Sequence, residues 1–78
     1  MISVETRDEL KQAVVRAEDD ITVVDPKLCY DLITLRRMSI YDRRLLYQLE
    51  MKGYQLLAKK ILGQVEVRFI RDTAGSNR

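Results

Sequence analysis

The sequence has no histidine and no tryptophan, and among its 78 residues there are one cysteine, one proline and three glycines. Each shortage removes a class of chemistry. Without histidine the commonest general base is gone, and one cysteine can form neither a thiolate metal cluster nor an internal disulfide. Gly53, Gly63 and Gly75 lie too far apart for a phosphate-cradling loop. Apolar runs of two or three residues fall far short of the roughly 18 that a membrane-spanning helix needs. Met1-Ile2-Ser3-Val4-Glu5 lacks both the basic start and the apolar stretch of an export signal. These exclusions predict a cytoplasmic protein with no membrane segment, no metal, no cofactor and no enzymatic activity.

What remains is 46% hydrophobic and 33% charged, enough for one small core. A domain of this size buries only about 60% of the surface its unfolded chain exposes, so its stability is marginal without disulfide, metal or partner. Net charge is +2, unevenly spread. Residues 1 to 31 hold four basic and eight acidic residues, and residues 32 to 78 hold ten basic and four acidic. Such a gradient serves internal pairing, attraction between copies, or a nucleic-acid footprint.

Local signals predict the element order β-α-β-α-α-β, an α/β or α+β fold with a three-stranded sheet backed by helices. Residues 1–71 form this single domain, and residues 72–78 a flexible tail. Ile2 and Val4 alternate as a short strand. Thr6 and Glu9 form a capping box, with Glu9 reaching back to the Thr6 amide. The helix that follows buries Leu10, Ala13, Val14 and Ala17 and ends in Glu18-Asp19-Asp20. Ile21-Thr22-Val23-Val24 is rich in β-branched residues and reads as a central strand, pairing in parallel with the first. Asp25-Pro26 opens a second helix with Leu28, Leu32 and Leu35 inward, beside Cys29 and Ile33, and with Arg36-Arg37 complementing its dipole. Cys29 is a core residue on this reading. Ser39 with Asp42 makes a second cap, and Val65, Val67 and Phe69 point inward from a closing strand.

Between Ile40 and Leu62 there is no proline, and Gly63 is the first clear stop. Read as one helix, this segment has two apolar stripes. Tyr47, Met51, Tyr54, Ala58 and Ile61 lie on one side, and Leu45, Leu46, Leu49, Leu56 and Leu57 on the other. So short a chain cannot cover both. Either the helix is continuous and one stripe packs on a second copy, or it breaks at Gly53 and both halves face one core. Tyr54 cannot cap a new helix, which favours continuity and hence a homodimer using the leucine stripe. The first functional expectation is therefore a self-associating protein-interaction module.

Arg36, Arg37, Arg43 and Arg44 flank the tight Met38-Ser39 corner, a clustering suited to phosphate. The alternative role for them is to cap a helix end and pair with the acidic half. The order helix, short strand, helix, tight corner, helix, strand resembles a winged helix-turn-helix. Leu46-Tyr47-Gln48-Leu49-Glu50-Met51-Lys52-Gly53-Tyr54 is similar to the end of that family's recognition helix, where a leucine pair leads into a Lys-Gly-aromatic step toward the wing. The resemblance covers about nine residues plus the element order. It implies a nucleic-acid-binding protein in which residues 54 to 62 form the first wing strand, Arg43 and Arg44 face the major groove, and Arg36 and Arg37 contact phosphates.

Overall fold

The computed structural model describes residues 1–34, 36 and 38–71. Strand β1 (Ile2–Val4) leads to helix α1 (Arg7–Val15), strand β2 (Asp20–Val23) and helix α2 (Pro26–Ile33). Helix α3 (Ile40–Met51) is followed by strands β3 (Tyr54–Ile61) and β4 (Gln64–Arg71). The strands form one sheet in the order β1-β2-β4-β3. The result is a small α+β domain in which helices back a four-stranded sheet.

Caps start the helices where the sequence places them. The Thr6 hydroxyl accepts the Glu9 amide at 3.1 Å, although the Glu9 carboxylate takes the Glu5 amide at 2.6 Å and not that of Thr6. Asp25 accepts the Leu28 amide at 2.9 Å with Pro26 in the first turn, and Ser39 accepts the Asp42 amide at 3.1 Å. Two helices stop earlier than expected. In α1 the chain turns at Ala17, which adopts φ 57° and is exposed, so Ala17 is not part of the buried stripe. In α2 the last helical residue is Ile33, and Leu35 lies outside the described residues.

The largest correction concerns residues 40 to 62. The helix ends at Met51, Gly53 takes φ +92°, and Tyr54–Ile61 is a strand. A strand needs no N-cap, so the missing capping residue is no obstacle to a break. Tyr54, Leu56 and Ala58 alternate toward the core side, opposite Arg71, Phe69 and Val67 of β4. Leu57, facing the other side, breaks the visible period of two and lends the segment its helical look. Leu62 (φ 52°) and Gly63 (φ 81°) make the two-residue turn between Ile61 and Gln64, both left-handed as a type I′ hairpin turn demands. The sheet gains its fourth strand this way.

Strand β2 is central, parallel to β1 (Ile2↔Ile21, Val4↔Val23) and antiparallel to β4 (Ile21↔Phe69, Val23↔Val67). Those residues present one apolar side of the sheet to Leu10, Ala13 and Val14 of α1, Leu28, Cys29 and Leu32 of α2, and Leu45 and Leu49 of α3. The Tyr54 hydroxyl, buried at the start of β3, donates to the Glu18 carbonyl and ties the hairpin to the turn before β2. Among the described residues no helix is long and apolar enough to cross a membrane.

Candidate functional site

Helix α3 has one face committed to the interior. Asp42, Leu45 and Leu49 are buried, and Leu46 is partly buried against the core. Asp42 is the unusual member, a buried carboxylate. Its Oδ1 accepts from Arg7 Nε at 2.6 Å and its Oδ2 from Arg7 Nη2 at 3.0 Å, so the guanidinium holds it well below the usual carboxylate range against the opposing effect of burial. The same Arg7 reaches Asp31 of α2 at 3.1 Å. One arginine at the start of α1 thus fixes α2 and the start of α3.

The other face of α3 is left open. Ile40, Tyr41, Arg43, Arg44, Tyr47, Gln48 and Met51 are all exposed, and Arg43, Arg44, Tyr47 and Gln48 together line a shallow depression. Arg36 is exposed just beyond α2, across the corner, and Arg37 lies outside the described residues. Four of the described acids are engaged by other arginines. Asp31 and Asp42 engage Arg7, Glu18 lies 3.5 Å from Arg16, and Asp20 accepts from Arg68 Nε at 2.9 Å. Among the described residues no salt bridge neutralises Arg36, Arg43 or Arg44. The arginine corner therefore carries uncompensated charge at the surface, and Arg36 stands past the end of the helix whose dipole it was expected to complement.

Beyond α3 the β3–β4 hairpin carries Lys59 and Lys60 toward its Leu62-Gly63 tip. Strand β3 folds back beside the helix that precedes it, since Leu46, Leu49 and Glu50 of α3 share a trough with residues Tyr54 to Leu57.

The five leucines expected to form a self-association stripe are separated. Leu45 and Leu49 are fully enclosed in the core of the same subunit and Leu46 is partly covered by it. Leu56 and Leu57 sit on successive positions of β3, on opposite sides of the sheet. The helical stripe they were assigned to does not exist, because the helix stops before two of its members. Of the other stripe, Tyr47 and Met51 are on the open face of α3, whereas Tyr54 is buried.

Cys29 is enclosed, its Sγ donating to the Val23 carbonyl at 3.2 Å, and burial pushes its thiol above the ordinary value. Glu18, Asp19 and Asp20 form no common cluster, because Glu18 and Asp20 turn to different arginines. Sequence reasoning finds the arginines of the site but misses Tyr47 and Gln48 beside them, placing Tyr47 in a core or interface stripe. The signal is their position between Arg43, Arg44 and Met51 on the side of α3 opposite Leu45 and Leu49. No family model, no curated protein and no solved structure matches the chain.

Proposed function

We propose that this protein is a nucleic-acid-binding module of winged-helix plan, with α3 as the helix that enters a groove of duplex DNA. The observation that carries the reading is the arginine corner: Arg36, Arg43 and Arg44 are exposed without an acidic partner while the other described acid–arginine pairs are satisfied. Element order supports it. The resemblance implies a helix, a short strand, two helices meeting at a tight corner, and a wing strand over residues 54 to 62; α1, β2, α2, α3 and β3 follow one another in that order, and β4 completes the hairpin.

Each part has a physical role. An α-helix fits the major groove of B-form DNA, where arginine reads guanine by two hydrogen bonds and glutamine reads adenine. Arg43, Arg44 and Gln48 offer those groups on the exposed side of α3, and Tyr47 adds a flat apolar surface. Arg36 would meet a backbone phosphate at the corner, and Lys59, on the side of β3 away from the core, would do the same from the hairpin. The buried thiol of Cys29, unpaired, is the support for a reducing, cytoplasmic setting.

The test is binding of a labelled mixed-sequence duplex, followed by fluorescence anisotropy as salt is raised. Affinity falls steeply with salt, and Arg43→Ala with Arg44→Ala lowers it by roughly tenfold or more, with a salt slope shallower by about one for each phosphate no longer neutralised. A chain that shows no duplex binding even at about 50 mM salt is not a nucleic-acid binder of this kind.

A further inference from the structure

Strand β3 is an edge strand of eight residues, the outermost in the order β1-β2-β4-β3. The two-residue turn fixes which of its backbone groups are free. In such a hairpin the residues flanking the turn, Ile61 and Gln64, form a hydrogen-bonded pair, so Ile61, Lys59, Leu57 and Gln55 direct their amide and carbonyl groups to β4. Tyr54, Leu56, Ala58 and Lys60 direct theirs outward. An edge of this length without proline or bulge is a template for another strand. Beside it runs a trough lined chiefly by the apolar residues Leu46, Leu49, Tyr54, Leu56 and Phe69, with the exposed Glu50 also in its lining. Consecutive residues 54 to 57 all border that trough, so it opens along the backbone edge and not across one face of the strand.

We propose that β3 pairs antiparallel with β3 of a second copy, with Leu57 on the two-fold axis, making one continuous eight-stranded sheet. The register is chosen by the sequence. Centred on Leu57, all four outward-facing residues find partners, Tyr54 with Lys60 and Leu56 with Ala58, each twice, for roughly eight hydrogen bonds. Leu57 then meets Leu57, and Lys59 meets Gln55. Sliding the centre to Ala58 sets both lysines against leucines and loses one of the four pairs. Sliding it to Lys59 brings that ammonium against its own copy, which is repulsive.

Charge and shape favour a second copy as the occupant. Lys60 lies opposite Val65 and so shares the core side of the sheet with Leu56. In the paired register the second copy's Lys60 stands next to Tyr54, which lines the trough together with Glu50, so the proposal pairs that lysine with Glu50, twice by symmetry. The second copy's Ala58 falls opposite Leu56 and closes the open side of the trough. The other edge of the sheet, β1, has three residues and cannot match eight. Both α3 helices end on the same side of the joined sheet, because the axis is perpendicular to it.

The proposal stands apart from nucleic-acid binding and is tested without any. Sedimentation of the full chain from about 10 μM to 1 mM gives a monomer–dimer equilibrium. Ala58→Pro removes an outward amide that β4 does not use, and yields a monomer with an intact β3–β4 hairpin by NMR. Glu50→Lys alone and Lys60→Glu alone each weaken the dimer by roughly tenfold, since the pair occurs twice. The double swap E50K/K60E restores it, a recovery that damage to the fold cannot imitate. A wild-type chain that is monomeric throughout, a dimer undisturbed by Ala58→Pro in a folded hairpin, or a double swap no better than the single changes overturns the proposal.

Discussion

Arg7 and Asp42 are 35 residues apart in the chain and meet through two hydrogen bonds of 2.6 and 3.0 Å. Asp42 is 2% exposed and the Arg7 side chain is partly open to water. That asymmetry decides what the pair does. A carboxylate so enclosed is costly alone, so α3 seats its first turn on the core only when Arg7 accompanies it. The ion pair thus ties the first turn of α3, which is followed directly by Arg43 and Arg44, to the start of α1.

Removing the cation strands the acid. Arg7→Ala destabilises the fold by about 1–3 kcal/mol, the cost of an unsatisfied buried polar group, and denaturant unfolding measures it. Asp42→Asn keeps the shape but loses the charge and one of the two hydrogen bonds, since its amide nitrogen cannot accept from Arg7, and it too destabilises the fold.

Acid acts on the same pair. Asp42 and Asp20 both have carboxyl groups lowered by their arginines, Arg7 and Arg68. A depressed folded-state value means that the stabilisation is fully present above the unfolded value near pH 4 and is lost as the pH falls through the lower, folded value. Unfolding free energy therefore declines below about pH 4, and in Asp42→Asn that decline is shallower. An equal decline in both proteins shows that Asp42 does not govern the acid limb.

The hinge between α3 and β3 rests on Gly53. A Cβ there has room, with Arg71 Cγ nearest at 3.9 Å, but φ +92° is a conformation that side chains resist. Gly53→Ala costs about 1 kcal/mol through backbone strain alone, and Gly53→Val costs more. Thermal unfolding of the two variants gives the order. No loss in either means that the turn shifts to accommodate a side chain.

How far the fold is legible follows from which forces are local. Thr6, Asp25-Pro26 and Ser39 announce their helices because a cap acts within three residues, and Ile21 to Val23 announce a strand by branching. The Gly53 break is visible as a stop signal, but leucines at helical spacing outweigh it. Leu56 and Leu57 count toward a helix by position, yet only pairing with Phe69 and Arg68 decides that they are a strand, and that pairing is not local. The site divides the same way. Four arginines around a corner can be read in sequence, whereas that Asp31 and Asp42 pair with Arg7, and not with Arg36, Arg43 or Arg44, is visible only once α1, α2 and α3 are packed together.

Cys29 provides a probe of opening. Its thiol is enclosed, bonded to the Val23 carbonyl, and raised above its ordinary value chiefly by burial. Reaction with a disulfide reagent at neutral pH is slow in the native state and follows separation of α2 from β2. Destabilising the domain with Arg7→Ala speeds it. A native rate equal to that of the unfolded chain is incompatible with the enclosure.

Tyr54 supplies the last test, since it joins the hairpin to the body of the domain. Its ring fills core space that phenylalanine fills as well, and its hydroxyl donates to the Glu18 carbonyl. Tyr54→Phe removes only the donor and leaves a carbonyl short of a partner, for a loss of about 0.5–1.5 kcal/mol. Tyr54→Ala also empties the ring's volume and loses about 3–5 kcal/mol. Global unfolding reads both numbers. Amide exchange separates two outcomes: faster exchange confined to β3 and its β4 partners means that the hydroxyl anchors the hairpin, and uniform acceleration means that it holds the whole core.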